Sequence, residues 1–282
     1  MLTFRLRAFR AAARTVAVLT AWPAVAAVIK SDVEYGRAGN VSLRLDACIP
    51  EGPGPFPAAI LVHGGAWTGG DKRRDIRPLF DPLTRAGFVW FSINYRLAPR
   101  YPWPACFDDV QTAIRWAALH APEYKADPAR LALIGYSAGG HLACLAALMA
   151  GEDCPVRTVV GLAADTDFES DPRMRSGLKK PLRDLLGRPN MSEADVRIIL
   201  RGLSPISHVH AGAPPFLLMH GSEDRVVPVG ESIHFQERLA ACGVPVELII
   251  VRGAKHGLSG WPRYDPRFPE EIISWLRRNL GP

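Results

Sequence analysis

Gly135-Tyr136-Ser137-Ala138-Gly139 is the stretch that most narrows what this chain can fold into. The apolar run Leu131-Ala132-Leu133-Ile134 leads into it, and Gly140-His141-Leu142-Ala143-Cys144-Leu145-Ala146-Ala147-Leu148 leads out. The first reads as a buried strand and the second as a helix of small residues, with a serine at the apex of the turn. A serine hydroxyl is a weak nucleophile at neutral pH and has to be held clear of the backbone beside a base. Small residues two before and two after it let strand and helix close up tightly. A glycine-rich turn without chemistry can carry the same pentapeptide, so its meaning depends on the rest of the chain.

The rest alternates. Short strands are predicted within 32–49 around the turn 36–40, and the continuous apolar run 58–62 reads as a strand buried on both faces. Helix 74–85, strand 88–93, a helix from Asp108 or Asp109 to His120, and a turn at Asp127-Pro128-Ala129-Arg130 precede the serine. Strand 156–162, helical stretches at 181–186 and 192–200, strand 216–220, helix 230–241, strand 244–251 and helix 270–280 follow it. Strand–helix alternation predicts an α/β domain: a mostly parallel sheet covered by helices on both faces, with working residues at the carboxyl ends of strands.

Four such ends carry reactive or glycine-rich residues. His256 follows the last strand in a glycine-flanked loop and suits a base that takes and returns the serine proton. Asp224 follows strand 216–220 and suits the carboxylate that orients that imidazole, with Glu223 beside it as the rival. Asp165 and Asp167, one strand earlier, are placed to line the site instead. The chain order Ser137, Asp224, His256 is that of α/β-hydrolases. His63-Gly64-Gly65-Ala66 follows strand 58–62, and its backbone can approach a developing oxyanion. The expected donors are the N–H groups of Gly65, Ala66 and Ala138. His63 reads as a brace for this loop, Trp67 as its anchor, and Cys144 as a buried thiol. His141 lies on the helix after the serine and His220 ends a strand, while His208, His210 and His234 sit in less specific contexts.

Taken together, His63-Gly64-Gly65-Ala66-Trp67, Gly70-Asp71-Lys72, Asn94-Tyr95-Arg96-Leu97-Ala98-Pro99, Asp108-Asp109, Gly135-Tyr136-Ser137-Ala138-Gly139-Gly140-His141 and His220-Gly221-Ser222-Glu223-Asp224 resemble the esterase/lipase α/β-hydrolases. The likeness is to the branch of bacterial feruloyl and acetyl-xylan esterases, near the hormone-sensitive-lipase group, and runs from about residue 33 to the C-terminus. It implies an α/β-hydrolase fold without a large cap domain and a carboxylic ester hydrolase using neither metal nor organic cofactor. It also implies that Asn94-Tyr95-Arg96 and Asp108-Asp109 brace the oxyanion loop. Ala66 stands where the hormone-sensitive-lipase group has a third glycine, and still offers its N–H. Only 166–213 is available to roof the site, so the expected substrates are short acyl esters or esters on a larger molecule such as a carbohydrate. An amidase or formamidase shares the same chemistry. A serine peptidase would need an extra domain, and an inactive scaffold would be expected to have lost one of the three residues.

Residues 1–26 contain Arg5, Arg7, Arg10 and Arg14, no acidic residue, and the apolar stretch 15–22 followed by Pro23-Ala24-Val25-Ala26-Ala27. This predicts an export signal cleaved after Ala26, too short for a permanent membrane anchor, and a catalytic domain over 27–282 that is periplasmic or secreted. Without those four arginines the formal net charge of +6 falls to +2, and the remaining basic residues leave no nucleic-acid footprint. Five cysteines cannot all pair within one chain, and none forms a C-x-x-C.

Overall fold

The computed structural model describes residues 26–151, 154–169, 177–188 and 191–281. The expected export signal, apart from Ala26, lies outside them, as does part of 166–213. The chain builds β1 (Ala27–Ala38), β2 (Val41–Pro50), β3 (Phe56–Val62), α1 (Phe80–Arg85), β4 (Val89–Ile93), α2 (Ala105–His120), β5 (Ala126–Tyr136) and α3 (Ala138–Leu148). Then come β6 (Val156–Leu162), α4 (Lys180–Leu186), α5 (Glu193–Leu203), β7 (Phe216–Gly221), α6 (Val229–Ala241), β8 (Val246–Val251) and α7 (Phe268–Leu280).

The strands form one sheet in the order β1-β2-β4-β3-β5-β6-β7-β8. β1, β2 and β4 pair antiparallel, and β4 through β8 run parallel. From β3 the chain steps one way to β4, then returns to place β5 on the other side of β3 and continues outward. The topological switch point therefore lies between β3 and β5, where Val62 is in register with Gly135. Ligand crevices of open α/β sheets form at that point, and here the loops that leave it begin at His63 and Ser137.

Successive strand residues feed opposite faces. Ala58, Ile60 and Val62 pack with α2, α3 and α6, while Ala59 and Leu61 pack with α1 and α7. That division explains why β3 is apolar throughout. The segment after β6 contributes α4 and α5, whose Leu182, Leu185, Leu200 and Leu203 join the first of these cores.

Several boundaries differ from expectation. The first hairpin is longer, and its turn shrinks to Gly39-Asn40, with Gly39 at φ 58°. The helix expected from residue 74 starts at Phe80, after a single 3₁₀ turn at Arg77–Leu79, because Pro78 has no N–H to continue an α-helical ladder. α2 opens at Ala105 rather than at Asp108 or Asp109. Asp109 is buried and faces inward, instead of serving the helix's positive end. The turn expected at 127–130 survives as an irregularity inside β5: Asp127 accepts from the N–H of Ala129 and pairs with Arg130, and pairing with β3 skips from Ala126 to Leu131.

One ionic cluster ties the loop after β3 to the first hairpin. Lys72, almost fully buried, donates to Asp46 at 2.7 Å and Asp32 at 2.6 Å, and Arg73 donates to Asp46 at 2.5 Å. Burial pushes the Asp46 carboxyl up, but the Arg73 and Lys72 donors outweigh it and hold it at about 2, below its ordinary 3.8. A carboxylate depressed on folding contributes stability above its unfolded value, and that contribution is lost as pH falls through the folded one. Between about pH 4 and pH 2, urea denaturation should therefore show wild type losing more stability than Asp46→Asn. Parallel losses in the two proteins would exclude this cluster as an acid-sensitive element.

Candidate active site

Gly135 and Gly139 allow the turn between β5 and α3. A Cβ on Gly139 would stand 2.2 Å from the carbonyl oxygen of Val62 and 2.3 Å from that of His63. The backbone of α3 thus lies directly against the end of β3. At the apex Ser137 has φ 53° and ψ −123°, a conformation costly for a residue with a Cβ, and its N–H donates to Leu162 O at 2.8 Å.

The structure brings Ser137, His256 and Asp224 into one line. His256 Nε2 lies 2.9 Å from Ser137 Oγ, and its Nδ1 lies 2.7 Å from Asp224 Oδ2. The carboxylate is an acceptor only, so Nδ1 bears the proton and Nε2 presents its lone pair to the serine hydroxyl. The Asp224 side chain is fully buried, whereas that of His256 is 16% exposed. Oδ1 of Asp224 accepts from the backbone N–H groups of Val226 and Val227 at 2.8 and 2.9 Å. Burial alone would raise the Asp224 carboxyl, but donors from His220, His256 and Val227 hold it far below the carboxylate range. Tyr136 Oη donates to His256 O at 2.9 Å and fixes the histidine loop from beneath. Glu223 is exposed and turned to solvent.

The loop after β3 reaches the same place. Gly65, Ala66 and Trp67 all have positive φ, at 114°, 50° and 59°. A Cβ on Gly65 would fall 2.1 Å from Gly69 O, so only glycine fits there. Among the described residues, the N–H groups of Gly65, Ala66 and Ala138 donate to no protein acceptor, which leaves them available to a ligand. Ala66 holds a left-handed conformation in which glycine would be unstrained.

The loop is held from several sides. His63 donates from Nδ1 to Gly64 O at 2.6 Å and stacks on Tyr95 at 4.3 Å. Burial lowers its pKa, favouring the neutral ring. Tyr95 Oη donates to His63 O at 3.0 Å, and Asn94 Oδ1 accepts from Lys72 N at 2.7 Å. Arg96 pairs with the buried Asp109. Asp108 differs: it is exposed and acts on Arg96 only through its charge, so of the two adjacent carboxylates only Asp109 accepts from Arg96. Trp67 is buried and donates from Nε1 to His141 Nδ1 at 3.1 Å, while His141 Nε2–H donates to Leu203 O at 2.8 Å. Burial pushes His141 down to about 4, so it is a neutral strut between the loop, α3 and α5.

The other histidines do not meet Ser137. His208 bonds Gly202 O, His210 bonds Leu148 O, and His234 lies on the surface of α6. Asp165 and Asp167 are buried past β6, and Asp167 N shares Glu231 Oε2 with Thr166 N. Cys144 is buried, and all five thiols are free. Tyr136, Glu231 and the contact of His220 with Asp224 are not evident from the sequence. The four-residue spacing of His220 and Asp224 is the one signal that could have exposed the last.

The sequence matches the BD-FAE family over residues 45–239. Esterase LipC of Mycobacterium tuberculosis is 37% identical, over 72% of this chain and 53% of its own length. Esterase LipQ of the same organism is 34% identical, over 76% of this chain and 53% of its own length. The chain thus spans about half the length of these curated relatives. The crystal structure of an acetyl ester-xyloside bifunctional hydrolase from Caldicellulosiruptor lactoaceticus superposes with a TM-score of 0.75 at 25% identity, covering 88% of this chain and 96% of that one.

Proposed function

Because the chain belongs to the BD-FAE family, we propose that it is a serine-dependent carboxylic ester hydrolase, acting through an acyl-enzyme on short-chain acyl or carbohydrate-linked esters. The observation that carries this reading is the unbroken line from Asp224 through His256 to Ser137, which ends beside three unused backbone N–H groups. Ser137 Oγ attacks the ester carbonyl as its proton passes to His256 Nε2. The N–H groups of Gly65, Ala66 and Ala138 receive the charge that forms on the carbonyl oxygen, each worth roughly a hundredfold or more in rate. His256 returns the proton to the departing alcohol, and water then cleaves the acyl-enzyme by the same path in reverse. Asp224 stays ionised and keeps Nδ1 protonated throughout.

The names of LipC and LipQ support ester over amide bonds, and that of the Caldicellulosiruptor neighbour, an acetyl ester-xyloside bifunctional hydrolase, supports acetyl esters. A panel of p-nitrophenyl acetate, butyrate and octanoate, methyl ferulate, acetylated xylan and N-formylkynurenine tests the reading. Turnover should be highest on acetyl or butyryl esters or on acetylated xylan. Preference for N-formylkynurenine would replace the proposal with an amidase. The arginine-bearing, acid-free start of the chain supports export to the periplasm or medium, checked by N-terminal sequencing of the protein from fractionated cells.

A further inference from the structure

Asp224 touches two imidazoles. Beyond His256, its Oδ2 lies 3.3 Å from Nε2 of His220, a fully buried residue near the end of β7. The same nitrogen lies 3.0 Å from Val227 O, in the turn that carries Asp224. Neither a carbonyl nor a carboxylate can donate, so Nε2 bears a proton shared between the two. The other ring nitrogen, Nδ1, is 2.7 Å from Oγ of Ser232 on α6, itself almost fully buried. In the neutral ring Nδ1 has only a lone pair, so Ser232 donates to it and locks the tautomer.

A second serine–histidine arm therefore converges on the carboxylate that serves the first. It is sealed from solvent and cannot reach substrate. Its action can fall only on Asp224 and its turn. We infer that His220 is a positioning residue for ester hydrolysis: it holds the Asp224 turn through Val227 and tempers the charge that Asp224 presents to His256. This inference rests on the serine-esterase reading above.

The direction of the effect follows from the dipole. The Nε2–H of His220 turns its positive end toward Oδ2 and draws off part of the carboxylate's negative charge. Without it, Asp224 stabilises the protonated form of His256 more strongly. A protonated His256 cannot accept the serine proton, so activity would be lost at a higher pH on the acid side. Tyr136 from β5 bonds His256 O, and the exposed Asp75 in the loop after β3 acts by its charge on Tyr136. The turn itself carries Glu223 and Arg225, and the histidine loop carries Lys255, all three exposed. Neighbouring β6 and α6 lead to Asp165 and Glu231, with Glu231 bonded to the backbone of Thr166 and Asp167. None of these changes on substitution of His220.

The test is the pH profile of kcat/KM on p-nitrophenyl acetate for the full chain and three variants. His220→Phe should lower kcat/KM roughly three- to tenfold, the range of one long hydrogen bond shared between two acceptors. It should also raise the acid limb by about 0.5 pH unit. In His220→Gln the amide nitrogen can stand near the place of Nε2, so the acid limb should return to wild type. Ser232→Ala weakens the arm from its far end and should give a smaller upward shift. An unmoved acid limb in folded His220→Phe, or an equal shift in His220→Gln, would overturn the inference. Should His220→Phe fail to fold, Ser232→Ala decides: a raised acid limb supports the role and an unmoved one removes it. Wild type inert toward every ester would instead defeat the esterase reading itself.

Discussion

Ser137→Ala is expected to lower kcat/KM for ester hydrolysis by about five orders of magnitude or more, because nucleophile and base act as a unit and nothing else near His256 Nε2 can take the acyl group. The residue that remains can still bind substrate against the N–H groups of Gly65, Ala66 and Ala138, so weak turnover over water should persist. Stability should behave differently. Ser137 is 7% exposed and keeps φ 53° and ψ −123° because Leu162 O holds its N–H and Gly139 presses α3 against β3. Alanine keeps the Cβ and therefore the strain, of order 1–3 kcal/mol. Glycine removes it, against a cost of about 1 kcal/mol in unfolded-chain entropy. Ser137→Gly should therefore unfold at a denaturant concentration equal to or above that of Ser137→Ala, both being inactive. Turnover near wild type in either variant would exclude Ser137 as the nucleophile.

What could be read in the sequence divides along physical lines. β3, β5, β6 and β7 are apolar runs bounded by turn residues, so their burial on two faces shows directly in composition. The places of His63, Ser137 and Asp224 at strand ends followed from that alone, whereas His256 follows β8, an edge strand that is buried only at its end. Pairing order is different: that β5 sits beside β3 and creates the switch point depends on contacts between residues some seventy positions apart. The brace at Arg96–Asp109 and the strut Trp67–His141–Leu203 are likewise long-range, and no local pattern distinguishes buried Asp109 from exposed Asp108. Helix starts failed where side chains overrode local preference. Pro78 delayed α1, and Asp109 turned inward to a guanidinium instead of serving the end of α2. Within 166–213 the helices α4 and α5 were read nearly in place, but not what ties them down: Leu185 O accepts from Trp103 N, Leu203 O from His141 Nε2, and Ser204 Oγ from Phe168 N, all bonds between residues far apart in sequence.

Asp224→Asn should cost about 10⁴-fold in kcat, while Glu223→Gln should change it less than twofold. The two residues are adjacent, and sequence offered no decisive choice between them. Every group facing the Asp224 carboxylate is a donor: the N–H groups of Val226 and Val227 on Oδ1, and those of His256 and His220 on Oδ2. An asparagine has one oxygen and one NH₂, so it must oppose a donor to a donor on one side. With NH₂ toward the backbone, two N–H groups lose their acceptor and the turn loosens. With NH₂ toward His256, the imidazole must move its proton to Nε2 and confront Ser137 with a donor, which cannot accept the hydroxyl proton. Either arrangement stops the relay without removing an atom from the site. Among the described residues Glu223 makes no such contact; its side chain is exposed, and its backbone N–H donates to Ala254 O at 2.9 Å. Because Asp224 is held far below the ordinary carboxylate range, it stays charged across the acid limb of wild type. The gap between wild type and Asp224→Asn should therefore not close on the acid side through protonation of Asp224. Near-wild-type activity of Asp224→Asn at neutral pH, or a larger loss from Glu223→Gln, would move the acid role away from Asp224.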